Sequence, residues 1–248
     1  VPLDFAPESF DDRYEGCGGA MRATELEPLN ASEFSANAAY AAGWAVAAAE
    51  WHARRHRHRP RPLLRPEEAT ALLAYTQHGP LFRDFNAATR RAGRSRRAYL
   101  EGFAFKTLHF LLSEALRALR AAEPPHPGRC HDVYRGVRGV RFAARPGRRV
   151  RFGQFASTSL RRELAEAFGR DTLLAARTCR GVPLREFSFY PGEDEVLVPP
   201  DEVFEVVEVE DDEDEDGAFI RLRSLGANST YNCEWLKGDG GGGGGGGS

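Results

Sequence analysis

Apolar positions change their period near the middle of this chain. As far as about Leu119 they recur at helical spacing: residues 37–51 carry strong helix formers with aromatics on one face. Pro66-Glu67-Glu68-Ala69 opens a helix that runs into Ala71-Leu72-Leu73-Ala74-Tyr75-Thr76, and residues 82–89 and 97–119 continue the pattern. Phe103, Phe105, Leu108, Leu111, Leu112 and Leu116 then form one buried stripe. Ser9-Phe10-Asp11-Asp12 offers residues for a first helix cap, Gly79-Pro80 is punctuation, and Glu123-Pro124-Pro125-His126-Pro127-Gly128 is a break between two textures.

Beyond Cys130 the chain becomes short apolar-alternating segments divided by Gly and Pro. Strands are predicted at 133–137, 140–143, 149–155, 172–178, 186–190, 196–198, 203–210 and 218–225, with one helix at 162–169 between them. The pattern is α+β, with a helical part over about 1–122 and a β-rich part over about 130–237. We expect one folded unit over 1–237, followed by a Gly-rich tether over 238–248.

Composition narrows the class without naming a function. The 248 residues are 42% hydrophobic and 28% charged, with a formal net charge of −2, which argues against a dedicated nucleic-acid binder. No apolar run approaches the ~20 residues that span a bilayer, and the nearest, 38–49, contains Gly43 and runs into Glu50. Val1-Pro2-Leu3-Asp4 lacks a charged and then apolar start, so an exported protein would be read here in its mature form. Four widely spaced cysteines (Cys17, Cys130, Cys179, Cys233) without a Cys-x-x-Cys pair point to disulfides in an oxidising compartment, with three pairings open. Sequons at Asn30-Ala31-Ser32 and Asn228-Ser229-Thr230 point the same way.

Two charge runs are read as solvated loops. The basic run 52–61 suits a polyanionic glycan or a membrane surface, and its guanidiniums argue against metal binding by its imidazoles. The acidic run 211–216 lacks the spacing and the turn glycine of a calcium loop.

Three motifs carry candidate chemistry. In Val133-Tyr134-Arg135-Gly136-Val137 an arginine sits inside an apolar strand, where its charge calls for an anionic partner. In Phe152-Gly153-Gln154-Phe155-Ala156-Ser157-Thr158-Ser159, Thr158 or Ser159 is a natural helix cap, while Ser157 is placed to orient a carboxylate. In Ser188-Phe189-Tyr190-Pro191-Gly192-Glu193-Asp194-Glu195-Val196-Leu197-Val198 a turn leads into a strand. It sets two glutamates at i and i+2, close enough for their pKa values to separate and their roles to differ.

In this order the motifs resemble the R-S-E constellation of the vertebrate arginine-specific mono-ADP-ribosyltransferases. Ser9-Phe10-Asp11-Asp12-Arg13-Tyr14-Glu15-Gly16-Cys17, Ala71 to Thr76, Phe105-Lys106-Thr107-Leu108-His109-Phe110 and Ser229-Thr230-Tyr231-Asn232-Cys233 extend the likeness from about Asp4 to Lys237. The resemblance implies a helical half packed on a β-rich core of two sheets around an NAD cleft. It implies transfer of ADP-ribose from NAD to protein arginine with release of nicotinamide and without a metal. By the same resemblance Arg135 holds the NAD pyrophosphate, Ser157 positions the catalytic Glu195, and Glu193 engages the acceptor guanidinium. Tyr75, Gly136, Gln154 and Ser188 are implied NAD contacts, and the implied disulfides are Cys17–Cys233 and Cys130–Cys179. The implied setting is extracellular, as a monomer that is secreted or lipid-anchored. An NAD glycohydrolase and a catalytically silent surface binding protein are the alternatives.

Overall fold

The computed structural model describes residues 1–55, 63–124, 129–212 and 217–238, the side chains of residues 211 and 212 excepted. Most of the basic run, the 213–216 part of the acidic run, the Pro-rich break at 125–128 and the tail from 239 onward lie outside the described residues.

The helical half contains α1 (Gly18–Ala20), which passes through a π-helical turn at Met21–Glu25 into α2 (Leu26–Ala36). Asn37 breaks that helix in an extended conformation, and its side chain accepts from Tyr40 N to start α3 (Ala38–Arg54). Next come α4 (Pro66–Thr76), α5 (Pro80–Ala92), α6 (Arg96–Gly102) and α7 (Lys106–Ala122). Residues 97–119, read as one helical stretch, are therefore split at Phe103–Phe105. Ser95 caps α6 by accepting from Ala98 N at 3.0 Å. Glu33 of α2 caps α7, accepting from Lys106 N at 2.6 Å and Thr107 N at 2.8 Å. Burial raises the Glu33 pKa, and those two N–H groups pull it back, which favours an anion at a helix N-terminus. The expected stripe is buried as read, from Phe103 to Leu116.

The β half contains β1 (His131–Val137), β2 (Arg149–Val150), β3 (Ala156–Ser159), α8 (Arg162–Phe168), β4 (Thr172–Thr178), β5 (Val182–Pro183), β6 (Glu195–Val198), β7 (Glu202–Asp212) and β8 (Gly217–Ala227). These strands form one hydrogen-bonded sheet in the order β2-β7-β8-β4-β1-β3-β6-β5, rather than the two sheets expected. The join between β1 and β3 is the single pair Tyr134↔Ser159, so the sheet is nearly divided there. Among the described strands only the β4–β8 pair is parallel.

Three strand expectations fail for identifiable reasons. Residues 140–143 form no strand: Ala143 exchanges hydrogen bonds with Val1 and Leu3, and Phe142 N donates to Thr172 Oγ1. Residues 149–155 pair only as far as Val150, because Arg151 turns inward to a buried ion pair. Residues 186–190 begin within a 3₁₀ turn, Arg185–Phe187, and the Arg54 guanidinium takes the carbonyls of Glu186, Ser188 and Phe189. Ser9-Phe10-Asp11-Asp12 opens no helix either. Asp12 instead accepts from Tyr14 N, Cys233 N and Glu234 N, holding the chain's two ends together.

The larger apolar core runs through the helices and takes in Phe155, Val182, Leu184, Phe187 and Leu197 from the β half. A smaller core lies against the sheet around Val133, Leu174, Phe204 and Ile220. Both implied disulfides are present, Cys17–Cys233 and Cys130–Cys179. Among the described residues no helix is long and apolar enough to cross a membrane.

Candidate active site

A cleft opens where β1 and β3 are barely joined. Arg135 and Gly136 from β1, Ser157 from β3, Glu195 from β6, Glu193 from the turn before it and His78 from just beyond α4 all line this cleft. The register accounts for part of the convergence. Glu195 lies opposite Ser159, which lies opposite Tyr134. Paired residues share a face, and Ser157 joins that face by the two-residue period of a strand.

Gly136 is required by close approach. A Cβ there would sit 2.1 Å from the Ala165 carbonyl oxygen and 2.4 Å from that of Gly169, so any side chain would push α8 off the sheet.

The turn before β6 aims the two carboxylates. Pro191–Glu193 makes one 3₁₀ turn, and Asp194 follows in the left-handed region at φ 46°. Ser159 Oγ donates to the Glu193 carbonyl at 2.8 Å, and Leu160 N donates to the Asp194 carbonyl at 3.1 Å. Thr158 and Ser159 are therefore not helix caps. Thr158 Oγ1 donates to Val196 O, Ser159 Oγ accepts from Arg161 N just ahead of the helix, and α8 starts at Arg162 with no side-chain bond from its N-cap residue Arg161.

The glutamates meet different surroundings, as their spacing predicted. Glu195 is 4% exposed, whereas the Glu193 side chain is 29% exposed. Burial pushes the Glu195 pKa above the ordinary carboxylate value. Ser157, His78 and Ser188 favour its charged form, and Glu193 opposes it. Ser188 Oγ donates to Glu195 Oε2 at 3.1 Å. Glu195 Oε1 and Ser157 Oγ are both buried without a hydrogen-bond partner in this conformation, although the serine lies near enough to act on the carboxylate.

Arg135 differs from expectation in an informative way. Its Nη1 donates to the Ser157 carbonyl at 2.7 Å, and among the described residues no carboxylate pairs with it. Burial pushes its pKa down, although a guanidinium stays cationic. A half-buried cation beside two unpaired polar atoms is poorly satisfied by protein alone, and it suits an anionic, hydroxyl-bearing ligand.

Two of the implied NAD contacts are not at the surface of the cleft. Tyr75 is fully buried and donates to Phe155 O at 2.6 Å, bracing the entry to β3 from behind. Gln154 is 7% exposed and accepts from Arg90. Ser188 reaches the site through Glu195.

His78 was passed over in the sequence. Its Nε2 lies 3.2 Å from Glu193 Oε2, and its ring lies parallel to that of Tyr190 at 6.3 Å. The only local signal was its place before Gly79-Pro80, and nothing in the chain linked position 78 to position 193.

The geometry has clear counterparts. The sequence model of the family described as NAD:arginine ADP-ribosyltransferase matches residues 3–230. The chain is 53% identical to NAD(P)(+)--arginine ADP-ribosyltransferase 2 of Gallus gallus, over 97% of this chain and 75% of that protein. It is 49% identical to GPI-linked NAD(P)(+)--arginine ADP-ribosyltransferase 1 of Homo sapiens, over 96% of this chain and 75% of that one. In three dimensions it matches the crystal structure of the eucaryotic mono-ADP-ribosyltransferase ART2.2 with a TM-score of 0.78 and 34% identity, covering 94% of this chain and 98% of that one. A mutant of ART2.2 in complex with NADH matches with the same TM-score and coverage. A sheet parted at Tyr134 and Ser159 around an arginine, a serine and two glutamates thus belongs, with the rest of the chain, to the NAD:arginine ADP-ribosyltransferase family.

Proposed function

We propose that this cleft transfers ADP-ribose from NAD to the guanidinium of arginine on protein acceptors, through Arg135, Ser157, Glu195 and Glu193. The observation that supports the reading is the meeting of these four side chains in one cleft, where, among the described residues, Arg135 has no carboxylate partner and one Glu195 carboxylate oxygen has no hydrogen bond. Arg135 binds the diphosphate, for which a guanidinium fork is well matched. Ser157 and Ser188 favour the ionised form of Glu195, against the larger effect of its burial. Glu195 faces the nicotinamide ribose, where a fixed carboxylate in a dry site stabilises positive charge developing on the sugar. The bond from C1′ to the nicotinamide nitrogen breaks and its electron pair leaves with neutral nicotinamide. A guanidinium nitrogen then bonds to C1′ and gives up a proton to Glu193, which is the more exposed carboxylate and the nearer to an incoming protein.

NAD is the co-substrate, as the NAD and NADH complexes of ART2.2 support. The enzyme is extracellular, secreted or anchored at the cell surface, in keeping with its two disulfides. We propose that it acts as a single catalytic unit and as a monomer.

The test is nicotinamide release from NAD with and without agmatine, a small guanidino acceptor, in wild type and Glu193→Gln. Wild type should release more nicotinamide with agmatine and form ADP-ribosyl-agmatine. Glu193→Gln should lose transfer by about 10²- to 10⁴-fold, the usual range for a general base, and keep NAD cleavage. Release indifferent to agmatine would make the enzyme a glycohydrolase, and equal loss of both activities would refute the role given to Glu193.

A further inference from the structure

We propose that His78, Glu193 and Glu195 form a binding site for a divalent transition-metal ion, Zn²⁺ foremost, which blocks the cleft while NAD is absent. One ligand atom from each of the three lies within 4.8 Å of the other two. An imidazole nitrogen with two carboxylate oxygens is a donor set that suits Zn²⁺ and leaves a fourth position for water.

A second observation is independent of that proximity. Glu195 lines the cleft, and its Oε1 is buried with no hydrogen-bond partner among the described residues, so an acceptor is already desolvated there. The third ligand is held in place. His78 sits in the left-handed region at φ 57°, an unusual conformation for a residue with a side chain. Its ring meets the edge of Phe82 at 5.1 Å and lies parallel to Tyr190, which together keep Nε2 turned toward Glu193. Metal binding would replace the present contact between Nε2 and Glu193 Oε2 with two coordinate bonds. Arg135 lines the same cleft and opposes an added cation, which limits the affinity.

The ion would occupy both carboxylates assigned to transfer and cleavage. Zinc would therefore be a reversible inhibitor that competes with NAD. That consequence rests on the function proposed above, whereas the binding does not.

The test is a calorimetric titration of oxidised, NAD-free protein with Zn²⁺, repeated with Co²⁺ while following its visible absorption. The expected result is one ion per chain, with the apparent affinity falling when NAD is added. Losing a group that only supports a metal ligand weakens binding about 10- to 100-fold. His78→Ser and Glu193→Gln remove ligands themselves, and each should weaken binding at least that much. Absence of binding by folded protein, or binding by both variants as tight as by wild type, would overturn the inference, the latter by placing the ion elsewhere. Binding needs no turnover. Metal-free protein that transfers ADP-ribose and binds no zinc would sink this inference alone, and protein that binds zinc but never cleaves NAD would sink the proposed function alone.

Discussion

Two buried charged regions of this molecule are built on opposite terms. Where the chain's two ends meet, Arg151 and Asp11 form an ion pair at 2.6 Å with side chains 1% and 0% exposed. Arg151 also donates to the carbonyls of Phe5, Ala6 and Asn228, and Asp11 accepts from Thr230 N and Tyr231 N. In the cleft, among the described residues, Arg135 donates to a single carbonyl, and Ser157 and Glu195 each keep a buried side-chain oxygen without a hydrogen bond. A buried polar network whose members are satisfied by protein fixes a structure, whereas one left short holds its interactions for a ligand. The first region is therefore a clamp and the second a site.

The contrast is sharpest in the Asp11→Ala variant. It strands the buried Arg151 cation and should cost about 3–5 kcal/mol in urea unfolding, while the fraction still folded keeps its catalytic constants. A change in kcat/KM for that folded fraction would merge the two regions. The reverse pattern is expected for Glu195→Gln. Nicotinamide release should fall about 10²- to 10³-fold, near 2.7–4 kcal/mol of transition-state stabilisation, with no loss of thermal stability.

The pH dependence of that variant follows from the raised pKa of Glu195. A carboxyl whose pKa is raised by folding favours the fold in its protonated form. That contribution is whole below the ordinary carboxylate range and is lost as pH climbs through the raised value. Glutamine has no such loss. The Tm of Glu195→Gln relative to wild type should therefore rise with pH across that window, and a gap that closed instead would contradict the burial assigned to the carboxylate.

Smaller effects separate the regions further. Cys17–Cys233 bolts the clamp across 216 residues, and Cys130–Cys179 spans 49. By loop entropy, removing the first pair should cost about 1 kcal/mol more than removing the second, read from urea midpoints. Equal costs would mean that the unfolded chain keeps its ends together. Ser188→Ala leaves the clamp untouched and removes a hydrogen bond that favours ionised Glu195. The acid limb of the kcat/KM profile for NAD cleavage should move to higher pH, and an unmoved limb would take Ser188 out of the site.

How much of this was legible depended on the range of the interaction. The stripe from Phe103 to Leu116, the turn at Pro191-Gly192 and the two unequal glutamates are local, and their periods and spacings carried them. The strands expected at 140–143 and 186–190 had the right texture, but their backbone groups were taken by Val1, Leu3 and Arg54, which are distant in sequence. Tyr75 and Gln154 lie in segments that carry the resemblance, and only the fold shows that both are buried and bonded to Phe155 O and Arg90. His78 was missed because its partner stands 115 residues away.

The sequence by itself determined the elements whose apolar period is strong, the order of the three motifs and, through its likeness to a family, the chemistry and the cysteine pairs. Only the tertiary structure decided that the sheet is continuous yet nearly parted at Tyr134 and Ser159, that Arg135 meets a carbonyl instead of a carboxylate, and that His78 joins the glutamates. The physical reason is that a periodic pattern records which faces must leave water. Which polar group finds which partner is settled only when distant segments compete for the same donors and acceptors.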